Sequence, residues 1–304
     1  MKQPLISIVL CSYNGERFIE AQLQSLLQQT YPNLEIIISD DVSTDGTRTI
    51  LRRYETISNC KIFLQDTNLG PIKNFEFAIK QTTGAFIAFC DQDDIWLPQK
   101  IETLYGAIGD GWFVYSDSEL IDEQGRSLQK KLSDLRKMYS GSDTRGFVFS
   151  NVVWGHTVLI NRLLMPYILP IPDAVPHDIW MAVIAATKTG IRYTDMVLTK
   201  YRQHADTVTK TIATDRHART SNKRYLDYKE KLHWISLVRQ SESSHVQPFY
   251  DTLYTLYEEK ASGRFQVKLL FFLMKNRAAL YKFSCKSTAS QVIDIIKQAR
   301  GVTS

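Results

Sequence analysis

An acidic cluster is the first feature of this chain that could do chemistry. Asp91, Asp93 and Asp94 come directly after the apolar run 85–90. Alternate residues of an extended segment point the same way, so Asp91 and Asp93 can face one ligand. Mg²⁺ and Mn²⁺ prefer oxygen ligands and are usually held by one or two carboxylates together with substrate phosphates. The spacing therefore predicts a metal site that binds phosphate, and an ordinary surface turn is the alternative. Asp94 is expected to be a helix N-cap or an ion-pair partner.

Short apolar runs rich in Ile, Val and Phe provide the strands that would position this cluster. These runs lie at 6–10, 36–39, 61–64, 86–90 and 112–115, with amphipathic helical patterns between them. Runs of this length are typical of parallel strands buried on both faces. The alternation predicts an α/β fold with a doubly wound, mostly parallel, Rossmann-like sheet. A further strand is predicted at 152–160, and a helix at 177–188.

The segments just after four of the strands are polar, and three of them carry carboxylates. They are residues 12–15, 40–46, 66–70 and 91–94. Ligands of doubly wound sheets bind beyond the carboxyl ends of the strands, so these segments are expected to form the site. The chain contains no G-x-G-x-x-G and no G-x-x-x-x-G-K-[ST]. Dinucleotide redox chemistry and P-loop hydrolysis are therefore disfavoured.

Composition places the chain among ordinary globular proteins. It has 304 residues, of which 44% are hydrophobic and 23% charged, and no apolar run approaches the length of a spanning helix. The first residues predict a buried strand rather than a signal peptide. The four cysteines are far apart and form no C-x-x-C, which argues against a zinc site and against a disulfide framework. A cytoplasmic location is predicted.

Charge divides the chain into two parts. Residues 1–204 hold 20 Lys and Arg against 23 Asp and Glu, whereas residues 205–304 hold 17 against 9. The second part predicts helices at about 216–240, 247–261, 264–283 and 288–300. In the third of these, Phe265, Leu269, Phe272 and Leu273 form an apolar stripe among basic residues. Such a helix is a candidate for an anionic membrane interface, and packing on the first part or a homodimer interface are the alternatives. No nucleic-acid module is recognisable.

The motifs together carry a resemblance to a known family. Residues 4–47 read PLISIVLCSYNGERFIEAQLQSLLQQTYPNLEIIISDDVSTDGT, and N-L-G, D-Q-D-D-I-W-L-P and H-D-I-W follow in order. This series resembles the family 2 glycosyltransferases, and the D-Q-D-D-I-W and Y-R-Q-H segments are most similar to bacterial rhamnosyltransferases of polysaccharide assembly. The resemblance covers about residues 4–204 and implies a GT-A fold. The absence of Q-x-x-R-W and of spanning segments argues against a processive synthase.

Within the resemblance, individual residues match the family's functional positions. Ser12, Tyr13 and Asp41 match positions around the nucleotide base, where a carboxylate can accept the N3–H of uracil or thymine and an aromatic ring can stack. For Tyr13 a core-edge aromatic is the alternative, and for Asp41 a helix-capping turn. Lys73 falls near the diphosphate position, with a solvated surface lysine as the alternative. The donor-binding residues implied are Ser12, Tyr13, Asn14, Glu16, Asp41, Lys73, Asp91 and Gln92.

The same resemblance implies the metal ligands, the base and the acceptor side. Asp93 matches the metal ligand of the D-x-D motif, with Asp91 beside it, and His204 is a further candidate ligand or else a structural histidine. Asp178 matches the catalytic base, with a helix cap as the alternative reading. Residues His156, His177 and Trp180 are assigned to the acceptor side, although a tryptophan at that place is also typical of a core.

The sequence therefore predicts an inverting, metal-dependent glycosyltransferase that uses Mn²⁺ or Mg²⁺. The donor is dTDP-rhamnose or a UDP-hexose, and the acceptor a glycan or polyprenyl-linked hydroxyl. The alternatives are a nucleotidyltransferase and a non-catalytic nucleotide- or glycan-binding protein. The expected domains are a catalytic domain at 1–204, with a nucleotide-sugar half at 1–116 and an acceptor half at 117–204, and a helical basic region at 205–304. The expected location is the inner face of the plasma membrane.

Overall fold

The computed structural model describes residues 3–204, 221–242 and 245–302, with side chains from 224 onward in the middle range. The chain divides into two compact units. The first comprises Met1–Gly141 and Val153–Lys210, and the second Ser142–Val152 and Thr211–Ser304. The boundary predicted after residue 204 adjoins residues outside the described ranges and stays a prediction.

The first unit is built on one mixed sheet. Its strands are β1 (Ile6–Ser12), β2 (Leu34–Asp40), β3 (Cys60–Leu64), β4 (Phe86–Cys90), β5 (Ile95–Trp96), β6 (Phe113–Ile121), β7 (Ser127–Lys131), β8 (Val158–Asn161) and β9 (Arg192–Arg202). The strand order is β3-β2-β1-β4-β8-β6-β9-β5, and β7 pairs with β6. The predicted strand at 152–160 is shorter than expected, because Gly155–Thr157 form a 3₁₀ helix ahead of β8.

Strands β3, β2, β1 and β4 are parallel, which confirms the doubly wound core. In their register Ser12 pairs with Asp40, and Leu10 pairs with Cys90. The carboxyl ends of β1, β2 and β4 therefore meet at one edge of the sheet. Beyond β4 the sheet becomes mixed, since β8 is antiparallel to both of its neighbours while β6 and β9 are parallel.

Helices cover both faces of this sheet. They are α1 (Ile19–Leu27), α2 (Thr47–Arg52), α3 (Pro71–Lys80), α4 (Lys100–Ile108), α5 (Met165–Ile168) and α6 (His177–Lys188). On one face, Leu23 of α1 and Leu104 of α4 join Ile8 of β1 in a buried apolar cluster. On the other face, Phe75 of α3 contacts Phe89 of β4 with ring centroids 6.3 Å apart. Alternating apolar residues on the strands feed both layers, as the sequence predicts for buried parallel strands.

The second unit is helical. Its helices are α7 (Ser221–Ser241), α8 (Gln247–Glu258), α9 (Val267–Lys275), α10 (Arg277–Leu280) and α11 (Thr288–Gln298). The helix predicted at 264–283 is wrong in its extent, because the chain breaks at Asn276 into α9 and α10. The start of the helix predicted at 216–240 lies outside the described residues. Within the described ranges, every helix is too short or too polar to cross a bilayer.

Glu35 fixes the amino-terminal end of the parallel strands. Its carboxylate accepts hydrogen bonds from Ser7 Oγ (2.6 Å), Thr83 N (2.5 Å) and Lys61 Nζ (3.0 Å). Burial alone would raise the pKa of Glu35, but these hydrogen bonds outweigh it and lower the pKa to about 2. The carboxylate therefore stabilises the fold at neutral pH, at the end of the sheet opposite the polar loops.

We expect Glu35→Gln to lower the free energy of unfolding at pH 7 by about 3 kcal/mol. Because the folded pKa lies below the unfolded one, the wild-type contribution is complete above about pH 4.5 and is lost as the pH falls toward 2. Urea unfolding between pH 7 and 3 should therefore show a smaller loss of stability on acidification in the variant. Glu55→Gln, at an exposed position, is the control, and equal pH slopes in Glu35→Gln and wild type would contradict this account.

Candidate active site

Asp40, at the end of β2, organises the first two loops of the site. This buried carboxylate accepts hydrogen bonds from Ser12 Oγ (3.0 Å), the backbone N–H of Ser43 (3.0 Å) and Arg48 Nε (2.6 Å). The backbone N–H of Asp41 donates to the carbonyl of Ser12 at 2.8 Å. Ser12 is therefore bonded to the neighbouring strand end.

Asp41 directs its carboxylate at a third loop. One oxygen accepts the backbone N–H of Leu69 at 2.6 Å, and the other accepts that of Gly70 at 2.9 Å. Gly70 precedes α3 as its N-cap residue. Asp41 thus fixes the residues that lead into α3. It does not cap the helix that follows its own loop, because the N-cap of α2 is Gly46. The carboxylate is held in a single orientation at the sheet edge.

Three residues predicted to bind donor join one loop to another. The side-chain amide of Gln92 pairs with the backbone of Tyr13, accepting its N–H at 2.9 Å and donating to its carbonyl at 3.0 Å. Asn14 Oδ1 accepts the N–H of Thr44 at 2.8 Å, and Glu16 accepts that of Gly46 at 2.6 Å. These bonds leave the ring of Tyr13 51% exposed above the strand ends.

Two backbone positions in these loops are tightly constrained. A Cβ atom at Gly15 would lie 2.3 Å from Gln92 Oε1, so only glycine permits the loop pairing. Val42 has φ 65°, a left-handed conformation that a β-branched residue rarely adopts. Its neighbours Asp41 and Ser43 are held by the hydrogen bonds described above. The loop therefore keeps a strained backbone where strands β1 and β2 end.

Asp91 and Asp94 lie against a buried histidine. His156 Nδ1 is 3.6 Å from Asp91 Oδ2 and 3.5 Å from Asp94 Oδ2, while its Nε2 is 3.0 Å from Ser118 Oγ. One ligand-type atom from each of Asp91, Asp94 and His156 lies within 4.8 Å of the others. A nitrogen that faces two carboxylates carries a proton, and Ser118 then donates to the other nitrogen. The predicted N-cap role of Asp94 is wrong, because Gln99 precedes α4 and Asp94 Oδ1 accepts the N–H of Arg202 at 2.9 Å.

Burial and neighbouring charges shift the pKa values of Asp91, Asp94 and His156 in different directions. Burial raises the pKa of Asp94 well above its usual range, and the charges of Asp93 and Asp91 add to this effect. Burial would also raise the pKa of Asp91, but the hydrogen bond and charge of His156 lower it. Burial lowers the pKa of His156. Asp91 is therefore the more anionic of the two carboxylates beside His156.

Lys100 lies beneath the acidic loop, where it is fully buried. Its ammonium donates to the carbonyl of His156 and to Thr199 Oγ1 (2.7 Å), and it sits 3.6 Å from the centroid of the Trp96 ring. Burial lowers the pKa of Lys100 to about 7, against the opposing charge of the nearby aspartates. Strand β9, the 3₁₀ helix before β8 and the acidic loop are thus joined through one side chain.

Asp93 pairs with the histidine at the end of β9. Asp93 Oδ2 lies 2.8 Å from His204 Nε2, which brings two predicted metal ligands into contact. Arg202 donates from Nε to the carbonyl of Asp93 at 2.8 Å. The ring of Phe18 packs against His204 in a tilted arrangement, with centroids 4.9 Å apart, and lies 4.8 Å from the Arg202 guanidinium. A carboxylate and an imidazole in contact can share one divalent cation or one proton.

Asp178 lies in the first turn of α6, where the helix dipole favours negative charge. Its Oδ1 accepts the N–H of Ile179 at 2.7 Å, and Pro176 occupies the N-cap position. Asp178 is therefore not the N-cap of this helix. His177 stacks on Phe75 at 4.1 Å, and its buried Nε2 has no hydrogen-bond partner among the residues described. Trp180 is buried and donates from Nε1 to the carbonyl of Ile168, so the structure holds it in the core.

Lys73 is engaged away from the acidic loop. Its ammonium lies 3.2 Å from both Glu76 and Asp173. Three residues of this site were not predicted from the sequence: Arg202, Phe18 and Lys100. Arg202 lies in the Y-R-Q-H segment that already contained a predicted ligand, and this was a signal that could have identified it.

Comparisons with known proteins identify the family and the fold. The model of glycosyl transferase family 2 matches residues 7–164. A UDP-Glc:α-D-GlcNAc-diphosphoundecaprenol β-1,3-glucosyltransferase, WfgD of Escherichia coli, is 30% identical over 206 residues, which span 66% of this chain and 78% of the relative. TarS 1–349 of S. aureus in complex with UDP-GlcNAc has a TM-score of 0.59 and 18% identity, covering 97% of this chain and 81% of that one. The mannosyltransferase PcManGT from Pyrobaculum calidifontis, in complex with GDP-Man and Mn²⁺, also has a TM-score of 0.59, with 16% identity over 98% and 86% of the two chains. These neighbours show the GT-A fold.

We expect Val42→Gly to raise the free energy of unfolding by about 1 kcal/mol, because glycine adopts the left-handed conformation without a Cβ clash. Urea unfolding of the full chain measures the change. Val42→Ala is the matched control, since it removes the β-branching but keeps the Cβ atom, and it should gain less. A loss of stability in Val42→Gly would mean that packing of the valine side chain outweighs the backbone strain.

Proposed function

The chain belongs to glycosyl transferase family 2, and on that basis we propose that it transfers a hexose from a nucleotide-diphosphate donor to a hydroxyl of a lipid-linked or glycan acceptor, with inversion at C1. The observation that carries the proposal is the contact between Asp93 and His204 at the edge where the parallel strands end. A pair of potential ligands is thereby brought to the edge where ligands of such sheets bind.

A UDP-hexose is the donor we propose. WfgD, whose name states UDP-Glc, shares 30% identity with this chain, and TarS was solved with UDP-GlcNAc. The exposed ring of Tyr13 would stack on the base, and the fixed carboxylate of Asp41 would accept the N3–H of uracil. The rhamnosyl donor suggested by the sequence resemblance has no comparable support. Ser12, Asn14, Glu16 and Gln92 would shape this pocket through the loop contacts described above.

We propose that Asp93 and His204 hold a divalent cation, and Asp91 is grouped with Asp94 and His156 rather than with this pair. Two adjacent ligands of an octahedral ion at about 2.1 Å lie about 3 Å apart, close to the separation of Asp93 Oδ2 and His204 Nε2. A carboxylate with an imidazole suits Mn²⁺ better than Mg²⁺. Asp94 and His156 fit a ligand role less well, because both are buried and a shared phosphate must reach the ion. A bound cation there supplies charge that stabilises the departing nucleoside diphosphate.

Asp178 is the base in this proposal. Its carboxylate would accept the proton of the acceptor hydroxyl while that oxygen attacks C1 in a single displacement. The start of α6 orients the side chain and favours its anionic form. His177 and His156 would lie toward the acceptor, the first through its buried, unpartnered Nε2 next to Gly155. A nucleotidyltransferase is excluded by family membership, and a non-catalytic protein of the same fold would release no nucleotide from any donor.

Asp93→Ala should weaken UDP-hexose binding in the presence of Mn²⁺ by about tenfold or more and leave binding without metal unchanged, because it removes a metal ligand. Isothermal titration calorimetry with and without Mn²⁺ measures both affinities. Asp93→Asn keeps the side-chain shape and should show the same metal-dependent loss if folding is intact. Asp195→Ala, at an exposed position of β9 outside the polar segments, is the control. Unchanged affinity with Mn²⁺ would rule out the metal assignment.

Asp178→Asn should lower kcat by about 10²-fold or more with little change in donor affinity, since the amide keeps the shape but accepts no proton. Nucleotide release and the anomeric configuration of the product are the measurements. Asp173→Asn, on the exposed segment before α6, is the matched control. Near-normal turnover in Asp178→Asn, or a product that retains the donor configuration, would refute the assignment.

A further inference from the structure

The outer face of α9 carries an exposed apolar stripe. Val267, Phe271 and Met274 follow one another at spacings of four and three residues and are 54%, 69% and 38% exposed. Residues at these spacings share one side of a helix, so the three side chains form a continuous strip, here termed the α9 stripe.

The opposite face carries Leu269, Phe272 and Leu273 of the stripe predicted from the sequence. Leu269 and Leu273 are fully buried and Phe272 stacks on Phe249 of α8, so that predicted stripe packs, as one alternative interpretation had it, but within the second unit. A buried inner face shows that α9 is already packed, and the α9 stripe is therefore additional apolar surface.

The basic character of the tail is concentrated around this helix. Residues 260–304 contain nine Lys and Arg and one acidic residue, Asp294, whereas residues 205–259 contain eight of each charge. Asp294 is paired with Lys286. Lys268 and Lys275 are exposed and flank the α9 stripe at the helical spacing, with no carboxylate within 4 Å among the residues that the structure describes.

A depression next to the stripe is also basic. It is lined by Lys275 and Lys282 together with Arg145 and Asp143, all within the second unit. Arg145 and Lys282 are both paired with Asp143, and the four groups together keep an excess of positive charge. An anionic headgroup that approached the α9 stripe would therefore meet positive charge on the same side of α9 as Lys275.

We propose that the α9 stripe with Lys268 and Lys275 docks the protein on the surface of an anionic lipid bilayer. A helix of nine residues is too short to span a membrane, but an exposed apolar strip flanked by lysines matches a helix that lies in the interface. The phenyl ring of Phe271 enters the acyl boundary, and the lysine stems follow it while their ammonium groups reach the headgroups.

The charge around the α9 stripe favours an anionic bilayer over a second copy of the chain as the binding partner. A two-fold symmetric interface through the α9 stripe would place Lys268 and Lys275 of each copy against the same groups of the other. With a single acidic residue in the last 45, already paired, no opposite charge in this segment relieves the repulsion. An anionic bilayer supplies that charge over the whole face. This property is separate from sugar transfer, so it can fail or hold independently of the proposed activity.

Vesicle binding of the full chain tests the proposal. Wild type should sediment with vesicles that contain about one third phosphatidylglycerol but not with phosphatidylcholine alone, and about 1 M NaCl should weaken binding by screening the lysines. Phe271→Asp should weaken it by about tenfold or more. Lys268→Gln and Lys275→Gln should each weaken it by about fivefold.

Leu226→Asp is the matched control, because Leu226 of α7 is 54% exposed but lies outside the basic segment. It should leave vesicle binding unchanged. Equal binding by Phe271→Asp and wild type, or equal binding to neutral and anionic vesicles, would overturn the proposal. So would a wild-type dimer in sedimentation velocity that Phe271→Asp converts to monomer without any change in vesicle binding.

Discussion

The acidic loop depends on an ammonium group buried beneath it. Lys100 is removed from water, yet three aspartates within four residues need a positive charge nearby. Desolvation opposes that charge, and the hydrogen bonds to the His156 carbonyl and Thr199 hold it in place. The same side chain joins β9 to the 3₁₀ helix before β8, so the buried histidine and the strand that precedes His204 are connected beneath the loop. Asp93, which contacts His204, lies on a loop whose backbone and Asp94 side chain are already hydrogen-bonded to Arg202.

The sequence was sufficient for the parallel core and for the edge that carries the site. Five apolar runs placed the strands, and their parallel register brought Ser12, Asp40 and the aspartates after Cys90 together. The sequence did not predict the break at Asn276 within the helix expected at 264–283, or the shortness of β8. Both depend on local backbone turns inside apolar segments. Hydrophobic periodicity predicts which residues are buried. It gives little information on where a buried segment changes from one backbone conformation to another.

Motif matching does not separate the residues whose side chains hold the loops together from those whose side chains face the sheet edge. Asn14, Glu16 and Gln92 belong to the family signature, but in the structure their side chains hold loops together. Tyr13 and Asp93 stand in the same strings and present their side chains at the sheet edge. A short motif records that a residue type is needed at a position, whether the need comes from the substrate or from the loop that carries it. Contacts separate the two cases, and they also identify Arg202, whose guanidinium supports the Asp93 carbonyl.

The unequal distribution of charge along the chain separates two proposed functions, diphosphate binding and membrane docking, that need surfaces of opposite charge. A metal-dependent diphosphate site needs carboxylates, and residues 1–204 carry an excess of acidic groups. An anionic bilayer repels such groups within about a Debye length. Concentrating the excess of lysine and arginine in residues 260–304 would give the proposed membrane surface its attraction, while residues 1–204 keep an excess of carboxylates for the proposed diphosphate site. The apolar stripe of α9 then lies in the part of the chain where electrostatic attraction can bring it to a membrane.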